Sequence, residues 1–160
     1  MSGFDSRTLR DGFGEFMTGV TVVTTREADG EPTGLTVNSF SSLSLDPPLV
    51  LFAVDRDSNT FDAFELAVGF VVHVLAEDQE HLAVRFATRD VERFEGLDWS
   101  PGLDDLPVIS GSLASFECRS EHVYDGGDHR IHVGRVERLT VGSRTRRALG
   151  YFRSRYIGQG

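Results

Sequence analysis

The sequence predicts a mainly β (α+β) fold: six or seven strands that close, or nearly close, into an antiparallel barrel, with about three short helices between them. Three observations carry this. Strand-length stretches rich in β-branched and apolar residues recur along the chain, at 20–25, 49–54 and 69–75 among others. Several are joined by turn signals, Glu27–Pro32 and Tyr124–His129, and not by helices. Strands in succession argue against a doubly wound parallel sheet, and no G-x-G-x-x-G follows a strand to build a Rossmann site. Closure of such a sheet removes its edges.

Taken in order, Leu9, Phe13, Phe16 and Met17 recur at helical spacing, with Asp5 or Ser6 as cap and Gly19 as stop. Val20–Thr25 is β-branched and reads as a strand; 27–32 is a turn; Leu35–Asn38 is the partner strand. Pro47-Pro48 interrupts pairing and belongs at a strand edge or start. Leu49–Val54 reads as a buried strand, and a short capped helix starts near Ser58 or Thr60. Gly69–Leu75 is the next strand, after which Gln79, Leu82, Ala83 and Phe86 share a helical face. Residues 88–111 are polar and contain Ser-Pro-Gly-Leu-Asp-Asp-Leu-Pro, which predicts a surface loop. In 112–118, Ala114, Phe116 and Cys118 alternate onto one side; His129–Val141 is the last long strand, with Ile131, Val133 and Arg135 on one face.

The chain has 160 residues, enough for one domain (1–160, core about 8–157) with a hydrophobic core. The N-terminal residues lack the pattern of a secretory signal, the apolar runs are too short to span a membrane, and a single cysteine excludes an intrachain disulfide; these predict a cytoplasmic protein. A net charge of −9 opposes non-specific binding to nucleic acid or anionic membrane. All 16 positive side chains are arginine, and residues 143–160 hold Arg144, Arg146, Arg147, Arg153 and Arg155 with no acid. That tail reads as a solvated face or a subunit contact ahead of a nucleotide-phosphate site.

Chemistry concentrates in two segments. Residues 36–44 read TVNSFSSLS, where Thr36, Asn38, Ser39, Ser41, Ser42 and Ser44 place small hydrogen-bonding groups at the edge of an apolar strand. A flat heteroaromatic cofactor with a phosphate tail needs an apolar bed, small donors at its ring edge and an anion site. The first segment supplies the bed and donors. In 55–61, Arg56, Ser58 and Thr60 cluster where a helix begins, which suits an anion. Each segment alone also has an ordinary reading, as a solvated turn and as helix caps.

Together, GVTVVTT, GLTVNSFSSLSLDPPLVLF, DRDSNTF, VLAEDQEHLAVRFA and GDHRIHVGRV, in this order and spacing, resemble the flavin reductase-like family. These FMN-binding split-barrel proteins are the small reductase components of two-component flavin-dependent monooxygenases. The resemblance spans roughly residues 8–157 and is most specific over Gly34–Pro48 and Gly127–His129. It implies a Greek-key split β-barrel and a homodimer. It implies an activity, NAD(P)H:flavin oxidoreductase, with FAD or FMN as acceptor and NADH or NADPH as hydride donor. Reduced flavin would pass, by diffusion, to a separate monooxygenase. The implied cofactor residues are Thr36, Val37, Asn38 and Ser39 along the ring and ribityl chain, with Ser41 and Ser42 in the same pocket. Asp55, Arg56, Ser58, Asn59 and Thr60 are implied at the phosphate, Arg85 and Phe86 at the border, and Tyr151, Phe152, Arg153 and Tyr156 closing the site. His129 is implied to face the nicotinamide. The family carries a proline and aliphatics before the C-terminal aromatic pair, where this chain reads RRALGYF; that leaves the tail's nicotinamide and subunit contacts open.

Other readings are weaker on the residues. Cys118, His122, His129 and His132 match no closed zinc pattern, and His129 and His132 are an odd number apart on a strand, so they point to opposite faces. No metal is expected. Cys118 reads as a small buried hydrophobe, His73 as a core or cofactor-proximal strand residue, and His81 as solvent-facing. The remaining alternatives are a flavin carrier or sensor without catalysis, and an oxidase or hydroxylase of the same fold.

Overall fold

The computed structural model describes residues 3–158. After helix α1 (Ser6–Gly14), the chain forms β1 (Thr18–Gly19), β2 (Thr21–Arg26), β3 (Pro32–Val37), β4 (Ser41–Leu45) and β5 (Pro48–Asp55). Then come α2 (Phe61–Leu66), β6 (Gly69–Val74), α3 (Glu80–Ala87), β7 (Trp99–Pro101) and β8 (Pro107–Ile109). The long hairpin β9 (Ala114–Gly126) and β10 (His129–Val141) precedes the short pair β11 (Gly150–Phe152) and β12 (Arg155–Ile157).

The principal sheet has seven strands in the order β3-β2-β6-β9-β10-β5-β4, antiparallel throughout. The β4–β5 hairpin leaves the β2–β3 pair for the far edge, and the chain returns through α2 to lay β6 beside β2, a Greek-key excursion. The sheet curls until its two margins meet. There, in the short link between β3 and β4, Ser39 Oγ accepts from Ala53 N at 3.0 Å and donates to Ala53 O at 3.3 Å, extending the β4–β5 register, in which Ser41 faces Leu51, by one side chain. Pro48 opens β5, as its missing N–H requires, and the Asp46–Pro47 bond before it is cis.

Strand β2 is buried on both faces, which explains its unbroken β-branched sequence. Val23 joins a core with Phe52, Phe64, Phe70, Val72 and Cys118; Val20 and Val22 join a second with Leu75, Leu82, Phe86, Ile109 and Leu149. Fully burying each of these phenylalanines stabilises by roughly 1.5–3 kcal/mol. The threonines of β2 stay inside because their hydroxyls are satisfied: Thr21 donates to Val37 O, Thr24 to Pro107 O and Thr25 to Gly69 O.

Within 88–111, residues 88–98 are the expected, largely exposed loop, but residues 99–109 are not. They form the β7–β8 hairpin, a second small sheet, with Leu103, Leu106 and Ile109 buried. The segment covers the face of β9 opposite Cys118, so Ser115 and Glu117 are buried as well. Leu103 N donates to Glu117 Oε2 at 2.6 Å, and Ile109 N donates to His73 Nε2 at 2.9 Å. These bonds come from distant strands, so local polarity misjudged the segment. Helix α1 also stops earlier than expected, at Gly14 and not Gly19, because residues 18–19 are drawn into pairing with β11. No residue of α1 is buried; Phe13 and Phe16 are 68% and 76% exposed.

Candidate functional site: a two-ended cleft along β3

Gly34 and Thr36 lie two apart on one face of β3, and Asn38 follows just past the end of the strand. Thr36 Oγ1 donates to Ala83 O at 2.6 Å, docking α3 against that face. Beside this contact a cleft of about 180 Å³ is lined by Val20, Thr36, Asn38, Ala87, Tyr151 and Tyr156. It shares Asn38 and Tyr151 with a larger hollow of about 680 Å³, walled by Arg10, Phe13 and Phe16 around α1. The tyrosines face each other across the β11–β12 hairpin with ring centroids 5.3 Å apart. They give an apolar, half-buried wall with hydroxyl tips, opposite the small polar groups of β3.

The other end is built around residues 55–60. Ser58 N donates to Asp55 O, Asp57 N to Asp55 Oδ1, and Thr60 N to Ser58 Oγ, while the Ser58 and Thr60 hydroxyls lie 2.9 Å apart. Helix α2 has six residues, so its dipole is slight; an anion here depends on side chains. Arg93 supplies the missing charge. Its Nη1 donates to Gly34 O (2.9 Å), and its Nη2 to Thr88 O (3.0 Å) and Asn59 Oδ1 (3.4 Å). Its Nε is buried with no partner among the described residues, and burial pulls its pKa down. Arg89 Nη2 donates to Asp57 O at 2.8 Å. A hollow of about 460 Å³ opens here, lined by Thr33, Asn59, Arg93 and Phe94 with Glu31, Asp90 and Glu92. Two strand steps, about 7 Å, separate Gly34 from Thr36, so β3 connects the two ends.

The sequence-predicted residues divide accordingly. Thr36, Asn38, Tyr151 and Tyr156 meet in the first cleft. Val37 is buried, and Ser39 spends its hydroxyl on Ala53. Ser41 and Ser42 lie on the exposed edge strand β4. Phe86 is 1% exposed beneath Gly34, a ring that supports β3 from below, and Arg85 Nη1 donates to Glu95 O. Phe152 and Arg153 belong to the α1 side: Arg153 stacks over Phe152 and pairs with both carboxylate oxygens of Glu15, holding that carboxyl below its ordinary range.

Arg56 donates from Nε to Gly127 O at 3.1 Å and pairs with Asp125 at 2.6 Å; its Nη1 has no bond among the described residues. His129 pairs across the sheet with Asp55, and its Nδ1 lies 2.7 Å from Asp128 Oδ1. Arg93 escaped the sequence reading because it fell in the stretch set aside as a loop. Its signal was an arginine next to Phe94, whose ring packs edge-on to Phe86 at 5.3 Å.

Two groups are removed from any chemistry by burial. Cys118 is fully buried and its thiol is pushed up to about 12, so no thiolate forms near neutrality. His73 is fully buried and pushed down to about 4, a neutral imidazole tying Val22 to Ile109.

Residues 13–159 match the family described as flavin reductase like domain. The chain belongs to this family. Among its relatives, the flavin-dependent monooxygenase reductase subunit HsaB of Rhodococcus jostii is 44% identical over 154 residues, covering 96% of this chain and 78% of that protein. FMN reductase (NADH) SmoA of Agrobacterium fabrum is 50% identical over 136 residues, covering 85% and 77%. The solved structure of the NADH:FAD oxidoreductase SgcE6 of Streptomyces globisporus, in complex with NAD and FAD fragments, superposes with a TM-score of 0.88. It is 38% identical and covers 98% of this chain and 96% of that one. Among the described residues no helix of this flavin reductase like domain is long and apolar enough to cross a membrane.

Proposed function

We propose that the chain is a cytoplasmic, single-domain NAD(P)H:flavin oxidoreductase that passes reduced FMN or FAD to a separate monooxygenase. The observation that carries the reading is the pair of openings at the two ends of β3, a tyrosine-walled cleft beside Thr36 and Asn38 and a hollow where Arg93, Asn59 and Thr33 stand among Glu31, Asp90 and Glu92. The residues fit a flavin. The first cleft offers aromatic walls and small donors; the second offers Asn59 and the half-buried Arg93 with its unpaired Nε, and Ser58, Thr60 and Arg56 belong to the turn beside it. The names of relatives, FMN reductase (NADH) and NADH:FAD oxidoreductase, support flavin and NADH as the pair.

A bound flavin supplies the redox chemistry, accepting a hydride equivalent from the reduced nicotinamide. The protein's residues orient and exclude water. Thr36, Val37, Asn38 and Ser39 present backbone and small side chains along the ring and ribityl chain, with Ser41 and Ser42 continuing that margin. Asp55, Arg56, Ser58, Asn59 and Thr60 frame the phosphate. Arg85 and Phe86 buttress the strand. Tyr151 and Tyr156 wall the ring, and Phe152 and Arg153 fix their hairpin to α1. His129 faces the nicotinamide. Such positioning is worth up to about 7–11 kcal/mol in ideal cases.

The assay is direct. Purified protein with NADH and excess free FMN or FAD bleaches the flavin absorbance over many turnovers. Bleaching limited to one bound equivalent would instead mark a carrier or sensor. The exposed apolar face of α1 supports a homodimer; Phe16→Asp then converts the dimer to a monomer in sedimentation, and an unchanged sedimentation coefficient refutes that assignment.

A further inference from the structure

We propose that Arg56, Asp125, Arg130 and Glu65 form a latch that fixes the β9–β10 turn and so orients His129 toward the nicotinamide donor. They are positioning residues, and the inference rests on the reading of His129 given above.

The turn is intrinsically loose. It contains Gly126 and Gly127, residues 125–128 are exposed, and Gly127 sits at φ +72 with open space around it. Ordering glycine costs more conformational entropy than ordering any other residue. Arg56 meets that cost with three bonds from the end of β5: its backbone N donates to Asp128 O (3.0 Å), its Nε to Gly127 O (3.1 Å), and its Nη2 pairs with Asp125 Oδ1 (2.6 Å). Arg130 reaches the same carboxylate oxygen with Nη1 at 2.6 Å and extends Nε to Glu65 Oε1 at 3.1 Å. Glu65 stands on α2, 3.6 Å from Nε2 of the buried His132, whose ring stacks on Phe52 at 5.3 Å. A chain of charges therefore runs from the solvent-exposed turn to a ring packed in the core. His129 is the first residue after that turn, gripped by Asp128 at 2.7 Å and paired with Asp55. An imidazole on an unlatched turn would spread over many orientations, and reactive geometry tolerates little displacement.

The test uses Asp125→Ala, an exposed site where the fold survives, beside Asp125→Glu and His129→Ala. In the flavin-free protein, backbone ¹⁵N relaxation over Gly126–His129 reports an ordered turn in the wild type and a mobile one in Asp125→Ala. In steady-state kinetics Asp125→Ala raises the Michaelis constant for NADH roughly fivefold, the upper range for exposed ion pairs, while the flavin dissociation constant stays unchanged. Asp125→Glu restores most of the loss, and Asp125→Ala with His129→Ala together is no worse than His129→Ala alone. A turn that stays ordered in Asp125→Ala, or a Michaelis constant that rises in His129→Ala but not in Asp125→Ala, overturns the latch. Loss of flavin affinity in Asp125→Ala with the NADH constant unchanged also overturns it. An unchanged NADH constant in His129→Ala overturns the reading of His129 instead, and the latch with it.

Discussion

His73 ties three elements together: Nδ1–H donates to Val22 O on β2 at 2.9 Å, while Nε2 accepts from Ile109 N in the β7–β8 hairpin at 2.9 Å. Those two bonds fix the neutral tautomer, because a protonated ring would confront the Ile109 N–H with a second donor. Full burial adds a desolvation cost for the charged form and lowers the pKa from 6.5 to about 4. The unfolded chain therefore binds a proton that the native state refuses. The corresponding stability is fully present above pH 6.5 and is lost as pH falls through 4. Between about pH 7.5 and 4.5 the loss is roughly 2–3 kcal/mol, since near pH 4.5 the unfolded imidazole is almost wholly charged and the native one about a quarter charged. Urea unfolding followed by the fluorescence of the single tryptophan, Trp99, measures it. His73→Gln supplies the control, because its amide does not titrate; the difference in stability between the two pH values is smaller in this variant by that amount. Equal acid losses in wild type and variant would refute the reasoning.

Three further outcomes follow from particular contacts. Gly134→Ala is destabilised by about 1–3 kcal/mol in the same unfolding assay, because a Cβ there would overlap the Phe70 ring and meet Cys118 Cβ at 2.9 Å. Native protein resists alkylation at Cys118 near pH 8 and takes up one equivalent in denaturant, as mass spectrometry reads, because burial holds the thiol at about 12. Arg93→Ala lowers FMN affinity about tenfold, measured by quenching of flavin fluorescence, and an unchanged affinity removes Arg93 from the anion end.

What the sequence disclosed was local. Strands at 20–25, 49–54 and 69–75 appear as Thr21–Arg26, Pro48–Asp55 and Gly69–Val74, because β-branched, apolar runs commit the backbone without outside help. The small polar groups of Thr36 and Asn38 lie in a cleft with Tyr151 and Tyr156, although more than a hundred residues separate them. The β7–β8 hairpin was illegible, because its order depends on acceptors at Glu117 and His73 that no local pattern announces. The β11–β12 turn was equally silent. Arg153 and Ser154 adopt φ of 47° and 62° without the glycine or asparagine such a turn ordinarily shows. That geometry is held from outside, by Arg153 N donating to Gly14 O and by Glu15. Arg93 belongs to the same class, since its value comes from Gly34 and Asn59.

The seam between Ser39 and Ala53 has a mechanical consequence. A strand edge buttoned by one side chain past the end of its ladder yields there first under thermal motion, so deuterium uptake at the Ala53 amide outpaces that at Val22 or Val72. A guest molecule spanning both margins would act as a second button, slowing that uptake and raising the melting temperature together.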